Sequence, residues 1–472
     1  MMWELVIGIE THVELSTRSK IFCGCTTAFG GAPNTHCCPV CTGQPGSLPA
    51  LNRRAVEYAA AAGLALHGAI QKRSVMSRKQ YVYPDLPKAY QISQYDKPLC
   101  LGGHVELSNG RRIELTRIHI EEDAGKLVYT RAEALMDYNR GGVPLIEIVT
   151  EPDFRSAEEV TEYMERLQSV LRAIGVSDCR MQEGSMRCDV NISLRRQGES
   201  AYGTRAEVKN LNSFTAVAAA IEYELERQAE ILDAGGVIVQ ETRSFDADTG
   251  VTASLRGKEN ADDYRYFPEP DIVPVLLTDA ELARIQSELP ELPDAKYRRY
   301  AAALGVPEAD ARLLTKYRRV SEYFEAACAG VENPRAVASF MVSQMFAHVT
   351  TEAEREHWNP AVSPEKLGEL LRLVEGGKIN HNMAKRVYGQ MAESGRPAAE
   401  FISEEDLLGV DDGALAALCR AAVEGNPKSV ADYRAGKEKA IKALVGAVMR
   451  ETRGRADALK AEELLKGLIL RP

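Results

Sequence analysis

Apolar stretches long enough to span a bilayer are lacking in this chain of 472 residues, and so is a recognisable secretory segment. Internal repeats and low-complexity tracts are also lacking. An excess of positive charge is missing too, because 68 Asp and Glu outnumber 58 Lys and Arg and give a formal net charge of −10. These absences argue against a membrane-spanning protein and against a protein that coats nucleic acid non-specifically. They predict a globular protein of the cytoplasm.

The chain is longer than one hydrophobic core usually serves, so we expect two or three domains. Strand-like alternation dominates up to about residue 290, where Leu289–Pro293 forms a proline-bounded linker, and helical spacing follows. This pattern predicts an α+β protein with a β-rich domain over 1–292, a helical domain over 293–407 and a small helical domain over 408–472. The last domain is basic, since twelve Lys and Arg face nine Asp and Glu for a net charge of +3.

Five cysteines lie close together near the N-terminus. Cys23 and Cys25 form a Cys-x-Cys pair, and Cys38 and Cys41 form a Cys-x-x-Cys pair after twelve intervening residues. Two short knuckles of this kind predict a closed tetrahedral Zn²⁺ site, which is structural rather than catalytic. Cys37 is interpreted as a spare thiol, because Cys38 completes the spacing to Cys41. The alternatives are a disulfide or unrelated core thiols, and a reducing compartment disfavours the disulfide.

Acidic residues recur on the polar faces of the predicted strands. Glu10 and His12 share one face of the first strand, and Glu122, Glu147 and Asp189 lie on or beside three others. If the sheet brings these carboxylates together, they repel one another unless cations hold them. Mg²⁺ is the natural candidate, because two ions with oxygen ligands usually serve a triphosphate. The alternative is that these are solvated strand faces, where polar alternation is expected anyway.

Two loop segments add a dense set of polar and aromatic side chains. The segment MSRKQYVYPDLPKAYQISQ combines cations, phenols and prolines, and the segment DYNRGGVPLIEI leads directly into the strand of Glu147. Such loops are typical of sites that grip a phosphate or a carboxylate. Two further polar residues flank Asp189 on its strand. The residues that we predict to bind substrate or ATP are Tyr81, Tyr83, Asp85, Lys88, Tyr90, Asn139, Arg140, Arg187 and Asn191.

Several strings along the chain resemble the B subunit of the aspartyl/glutamyl-tRNA amidotransferases. They follow in order as GIETHVEL, SKIFCGC, PNTHCCPVC, SRKQYVYPDLPKAYQISQ, IHIEEDAGK, DYNRGGVPLIEIVTEPD, EGSMRCDVNIS, EVKNLNSF and DYRYFPEPD. The strings KINHNMAKRVYGQM and NPKSVADYRAGKEKA extend the resemblance into the helical part. It covers essentially the whole chain, and the visible departure is the additional thiol of Cys37.

The resemblance implies an ATP-dependent ligase that acts on misacylated tRNA. Glutamate on tRNA(Gln) or aspartate on tRNA(Asn) is phosphorylated on its side-chain carboxylate, and ammonia then displaces the phosphate to leave an amide. Because a carboxylate is a poor electrophile, phosphorylation supplies the leaving group. The ammonia comes from the A subunit, which is a glutaminase, and the small C subunit braces the pair in a heterotrimer. No Ser-Lys glutaminase signature occurs in this chain.

The resemblance also implies a set of Mg²⁺ ligands. His12, Glu122 and Glu147 would hold one ion, and Glu10, Glu122 and Asp189 would surround the second. Glu122 would thus serve both ions, and ATP would be the phosphate donor.

Further residues receive roles from the same resemblance. Lys79 would steady the reacting carboxylate or the phosphate, and the basic C-terminal helices would hold tRNA. The cations predicted to contact tRNA are Lys437, Lys439, Lys442, Arg450 and Arg453.

Two other functions fit parts of the sequence. A metal-dependent nuclease could use the same carboxylates but would not need the loop or the basic helices, and a scaffold that only presents tRNA would leave the carboxylates idle.

Overall fold

The structure is a computed structural model that describes residues 3–257, 261–349, 351–403, 410–452 and 454–470. Across these residues the chain forms two compact units, Met1–Leu292 and Pro293–Pro472. The first is built on β-sheets and the second on helices, which confirms the predicted α+β fold. The division falls at the proline-bounded linker, where Pro293 begins a helix. The boundary predicted at 407/408 lies outside the described residues.

Seventeen strands are described, and they are numbered here in chain order. They are β1 Trp3–Glu14, β2 Ala69–Ile70, β3 Arg73–Ser74, β4 Ser77–Gln80, β5 Tyr90–Ser93, β6 Cys100–Leu101, β7 His104–Glu106, β8 Arg112–Glu122, β9 Lys126–Tyr129, β10 Ala134–Asp137, β11 Pro144–Thr150, β12 Met186–Arg196, β13 Ala206–Leu211, β14 Glu241–Asp246, β15 Val251–Gly257, β16 Phe267–Pro268 and β17 Val275–Leu276. Among the described strands, ten form one sheet in the order β15-β14-β13-β12-β1-β11-β8-β6-β2, and β7 pairs with β8. Its neighbouring strands run antiparallel except β13 and β14, which are parallel.

Alternation along the central strands gives the main sheet an apolar face and a polar face. In β1, Ile7 and Ile9 are buried in the core, and Glu10 and His12 point to the opposite side. Helices pack on the apolar face and complete the core of the first unit. The helices of this unit are Arg53–Ala65, Ala157–Ala173, Phe214–Asp233 and Asp279–Glu288. The polar face is therefore left for the candidate site.

The second unit is helical and contains two hydrophobic cores. The helices of the first core are Pro293–Ala302, Glu308–Lys316, Arg318–Ala327, Pro334–Phe340, Glu352–Glu356, Pro364–Glu375 and His381–Ser394. The helices around the second core are Asp412–Gly425, Pro427–Arg434, Ile441–Glu451 and Ala458–Leu470. Among the residues that the structure describes, no helix is both long and apolar enough to cross a membrane.

Candidate active site

The polar face of the main sheet brings most of the predicted acidic positions together. Strand pairing sets Glu10 opposite Asp189 and His12 opposite Glu147. Glu147 is in turn opposite His119 on β8. Because residues that face each other across antiparallel strands share one side of the sheet, these side chains converge although their strands are far apart in sequence.

Two groups of possible metal ligands lie side by side on this face and share His12. One consists of Glu10, His12 and Asp189, and the other of His12, Glu121 and Glu147, with ligand atoms within 4.8 Å of one another in each group. His12 Nδ1 is 3.5 Å from Glu121 Oε2 and 4.0 Å from Glu147 Oε2, and His12 Nε2 is 3.9 Å from Asp189 Oδ2. Carboxylate oxygens with an imidazole nitrogen suit divalent ions such as Mg²⁺ and Mn²⁺. These donors therefore fit a cation in either group, and His12, with one lone pair as a neutral imidazole, can serve one of the two at a time.

Glu121 occupies the place in this cluster that the sequence assigned to Glu122. Alternation along β8 puts His119 and Glu121 on the polar face and turns Glu122 to the side of Ile120. There the two carboxylate oxygens of Glu122 lie 2.5 and 2.6 Å from Lys88 Nζ. Glu121 thus takes the place beside His12 that was predicted for Glu122, because β8 continues through Glu122 and alternation turns Glu121 to the polar face. Which of the two binds a cation stays a prediction.

The buried acids of the cluster strongly favour positive charge beside them. Burial alone would lower the pKa of His12, but the carboxylates of Glu147 and Glu121 outweigh it and raise that pKa to about 9. Burial also disfavours the ammonium of Lys79, yet Glu121 and neighbouring groups raise its pKa, so the side chain stays charged. Lys79 Nζ lies 4.6 Å from the ring centre of Tyr264. Lys79 thus supplies a fixed cation at the Glu121 end of the cluster.

Two arginines hold a second pair of acids on the same face. Arg187 Nη2 donates a 2.8 Å hydrogen bond to Asp123 Oδ2, and Arg140 Nε is 3.6 Å from that oxygen. Burial and the neighbouring Asp123 raise the pKa of Glu14 to about 8, so Glu14 is largely protonated at neutral pH. The predicted substrate contacts Arg140 and Arg187 therefore start from ion pairs with Asp123.

Two cavities open beside the ligand groups. The larger, of about 860 Å³, is lined by several predicted site residues: His12, Lys79, Asn139, Arg140, Arg187 and Asp189. The smaller, of about 200 Å³, borders Glu10 and includes Asn191, Thr150 and Tyr202 in its lining. Asn191 Nδ2 donates a 2.9 Å hydrogen bond to Glu10 Oε1. The ligand groups therefore lie between two spaces that small molecules can enter.

The predicted binding residues of the 81–90 loop are not among those that line either described cavity. They are Tyr81, Tyr83, Asp85, Lys88 and Tyr90. The Tyr83 hydroxyl is 3.1 Å from the Tyr129 hydroxyl, the Asp85 carbonyl accepts from the Gly125 N–H, and the Arg78 guanidinium lies 4.2 Å from the ring centre of Tyr90. Together with the ion pair of Lys88, these contacts hold the loop in place. In the structure these residues hold the loop in place and do not line either described cavity.

The sequence interpretation missed four polar residues of the site, Glu121, His119, Asp123 and Lys209. Glu121 and Asp123 stand on either side of Glu122, and extending the strand alternation through this string identifies Glu121. Lys209 lies in the string EVKNLNSF, which supported only the family resemblance. Its Nζ atom donates a hydrogen bond to Asp189 Oδ2. That contact depends on strand pairing and leaves no spacing signal in the sequence.

Four free cysteines form a compact sulfur group in the first unit, with their Sγ atoms within 4.8 Å of one another. They are Cys23, Cys25, Cys38 and Cys41. A hydrogen bond from the Cys23 thiol is the main cause that lowers the pKa of Cys41 to about 4, so one thiolate is present. Cys37 lies outside the group, with its Sγ 3.9 Å from Asn139 Oδ1. The four sulfurs fit a tetrahedral Zn²⁺ ion.

The cations predicted to bind tRNA lie on the surface of the last helical core. Lys437, Lys439, Lys442 and Arg450 are all exposed. Lys437 Nζ is paired with Asp432 Oδ1 over 2.9 Å. Arg453 lies outside the described residues.

Comparison with known proteins gives matches over nearly the whole chain. Residues 5–283 match the family model described as GatB/GatE catalytic domain, and residues 322–469 match the one described as GatB domain. Proteins named as the B subunit of aspartyl/glutamyl-tRNA(Asn/Gln) amidotransferase are similar at 49% identity over 474 residues in Caldicellulosiruptor saccharolyticus and 48% over 471 residues in Thermoanaerobacter sp.. Each alignment covers 99% of both chains. The protein of that name from Geobacter sp. is 46% identical over 473 residues, which is 98% of this chain and 99% of the relative.

Proposed function

The chain belongs to the B subunit family of the aspartyl/glutamyl-tRNA(Asn/Gln) amidotransferases, and we propose that its polar sheet face phosphorylates the side-chain carboxylate of a misacylated tRNA. The family predicted from the sequence is thereby confirmed. As a member, the chain is part of a glutamine-hydrolysing, ATP-dependent ligase that amidates misacylated tRNA. The residues, ions and partners named below extend this membership as proposals.

The observation that carries the proposal is the pair of ligand groups that share His12 at the border of two cavities. Buried acids gathered this closely are costly unless cations bind among them. A protein that only presented tRNA would have no use for them, so this observation favours a catalytic role over the scaffold.

His12, Glu121 and Glu147 would hold one Mg²⁺, and Glu10 and Asp189 would hold the other, because a neutral imidazole has one lone pair and can bind one ion only. When bound, the ions would neutralise phosphate oxygens during in-line transfer. The protein's own residues fix the geometry, since five side chains on four paired strands have little freedom to move.

Lys79 is proposed to attract and orient the carboxylate that receives the phosphoryl group. Its half-buried side chain lies at the Glu121 end of the cluster and lines the larger cavity. The substrate carboxylate that enters this cavity would be attracted to Lys79. It would be repelled from the ligand groups, because their acids carry the same charge. Asn139, Arg140 and Arg187 line the same cavity and are proposed to contact the aminoacyl end of the tRNA.

The two cavities suggest where the two substrates lie. The smaller cavity is too confined for the end of a tRNA, and we assign it to the nucleoside of ATP, with Asn191 and Tyr202 at its border. The larger cavity then receives the aminoacyl ester. A triphosphate that reaches from one to the other passes Glu10 and Asp189, where the second cation is proposed.

Several parts of the assembly follow as proposals from the family. The glutaminase would supply ammonia, the small C subunit would complete the heterotrimer, and the reaction would take place in the cytoplasm, where charged tRNA is used. The exposed Lys437, Lys439, Lys442 and Arg450 would bind the tRNA backbone. The four-cysteine group would hold one structural Zn²⁺.

The proposal is tested by titrating the full chain with ATP in the presence of Mg²⁺ and by following products in the assembled heterotrimer. We expect saturable heat from ATP binding and conversion of Glu-tRNA(Gln) or Asp-tRNA(Asn) to the amidated form. A chain that binds tRNA but gives no heat with ATP would be a scaffold, and cleavage of the tRNA would indicate a nuclease.

The tRNA contact is tested separately with the triple variant Lys437→Gln, Lys439→Gln and Lys442→Gln. Loss of three phosphate contacts should reduce the slope of log affinity against log salt by about 3. The KM for charged tRNA should rise and kcat should hold. An unchanged salt slope would remove these lysines from the interface.

A further inference from the structure

Lys209 marks the end of the ligand cluster that lies opposite Lys79. It belongs to β13, and the pairing of β13 with β12 shifts register between Cys188 and Val190, so that two residues of β13, Lys209 and Asn210, stand opposite Asp189. Lys209 Nζ donates a hydrogen bond to Asp189 Oδ2 and lies 3.6 Å from Glu207 Oε1. Each end of the cluster thus carries one partly exposed lysine.

The backbone beside Lys209 has an uncommon conformation. Asn210 has a φ of +65°, in the left-handed region that residues other than glycine seldom adopt. Together with the bulge in the β12–β13 pairing, it turns the strand at the point where Lys209 meets Asp189. Bulges and positive φ angles of this kind recur beside functional sites, where they aim a side chain.

The oxygen that accepts the hydrogen bond from Lys209 also belongs to the candidate cation site. Asp189 Oδ2 accepts from Lys209 Nζ and is the oxygen that lies 3.9 Å from His12 Nε2. A divalent cation bound by Glu10 and Asp189 would compete with the lysine for this oxygen. The ammonium and the dication would also repel each other across a short distance. Binding of the cation should therefore release Lys209 from Asp189.

We propose that Lys209 is a phosphate-binding residue, which holds Asp189 until a cation and nucleotide bind and then moves its ammonium to a phosphate oxygen. This inference rests on the proposed function, because it needs a polyphosphate at the Glu10–Asp189 end. The four-carbon side chain of lysine can make such a move without backbone change, and its point charge suits a phosphate oxygen. No bond is made or broken by this residue.

The inference predicts opposite effects on two binding equilibria of the variant Lys209→Met. Without nucleotide, Mn²⁺ should bind the full chain about tenfold more tightly, because the competitor for Asp189 Oδ2 is gone. In contrast, ATP with Mg²⁺ should bind about tenfold more weakly or worse, because a charge-assisted contact to phosphate is lost. Mn²⁺ binding is measured by electron paramagnetic resonance and nucleotide binding by titration calorimetry.

A matched control is Lys72→Met, which removes one positive charge from an exposed pair with Asp279 in the same unit. Both affinities should match those of the parent chain. Lys209→Gln serves as a second variant, since it keeps a hydrogen bond to Asp189 and guards against a folding defect in Lys209→Met. Thermal unfolding of each variant checks the fold.

Two results would overturn the inference. If both affinities fall together, Lys209 only supports the strand, and if neither changes, it has no part in binding. A parent chain that binds neither Mn²⁺ nor ATP would instead contradict the proposed function, so the two failures are distinguishable.

Discussion

The cysteine group and the carboxylate group are both ligand sets of the first unit, yet they are built in opposite ways. The four cysteines come from one short stretch, residues 23–41, and their sulfurs face one another. The acids Glu10, Glu121, Glu147 and Asp189 come from four different strands, and all but Glu147 line one of two cavities. The four sulfurs leave no open position between them, whereas the acids leave room for substrate atoms.

The two groups suit different tasks, the sulfurs structural support and the acids the proposed chemistry. A closed four-sulfur site has no position for a substrate, so it can only stabilise the loops that carry it. An open set of acids on rigid strands leaves positions at which a bound cation would also contact a phosphate. The two are connected, since residues 27–31, between the two cysteine pairs, line the larger cavity. Removing metal from each group should therefore affect different kinetic constants.

The largest effect is expected from Asp189→Asn. This change removes a charged ligand at the oxygen shared with His12 and Lys209, and amide formation should fall about a thousandfold or more. The fold, the zinc content and the affinity for tRNA should stay near those of the parent. The measurement is amide formation by the assembled heterotrimer with ATP and Mg²⁺, and Asp279→Asn on the surface is the control. Turnover close to the parent rate would remove Asp189 from the site.

The next effect distinguishes the two neighbouring acids of β8. Glu121→Gln should weaken Mn²⁺ binding about tenfold to a hundredfold, because Glu121 Oε2 is 3.5 Å from His12 Nδ1. Glu122→Gln should leave Mn²⁺ binding unchanged, since its carboxylate pairs with Lys88 instead. Both variants lose one acid in adjacent positions, so each is the control of the other. The reverse order would restore Glu122 as the ligand.

The same two groups show what could be predicted from the sequence. A site of four cysteines within a short stretch can be predicted from their spacing, because residues close in sequence meet without long-range strand pairing. Glu10, His12, Glu147 and Asp189 could be chosen from strand alternation, but their partners could not. Lys209 meets Asp189 through a bulged strand pair, and a bulge shifts the register in a way that alternation cannot reveal.

The placement of Glu121 rather than Glu122 beside His12 has a simple physical reason. Alternation has a period of two, so the facing of the last residues of a strand is undefined where the sequence does not fix the strand's end. The strand extends through Glu122, and Glu121 therefore shares the face of His119.

The separation of β-rich and helical parts was easier to predict, because Pro290 and Pro293 interrupt the strand pattern at one place.

A smaller effect is expected from Cys41→Ser. Loss of one of four sulfurs should abolish tight Zn²⁺ binding, loosen residues 27–31 and raise the KM for charged tRNA about tenfold. The affinity for Mn²⁺ should hold, because the acids lie on strands. Cys37→Ser is the matched control and should keep one zinc per chain. Zinc loss from Cys37→Ser, or retention by Cys41→Ser, would change the ligand set.

The smallest effect is expected from Lys20→Met, which tests whether charge outside the sulfur group matters. Lys20 is fully buried, and its Nζ lies 3.6 Å from Cys41 Sγ and 3.0 Å from the carbonyl of Tyr138. Four thiolates exceed the charge of one Zn²⁺, so a neighbouring ammonium should favour the bound form. Replacement by the similarly sized methionine should keep the fold and lower zinc affinity about tenfold, measured by competition with a chelator. Lys72→Met should leave zinc affinity unchanged, and an equal affinity in Lys20→Met would show that the closed sulfur group needs no charge from its surroundings.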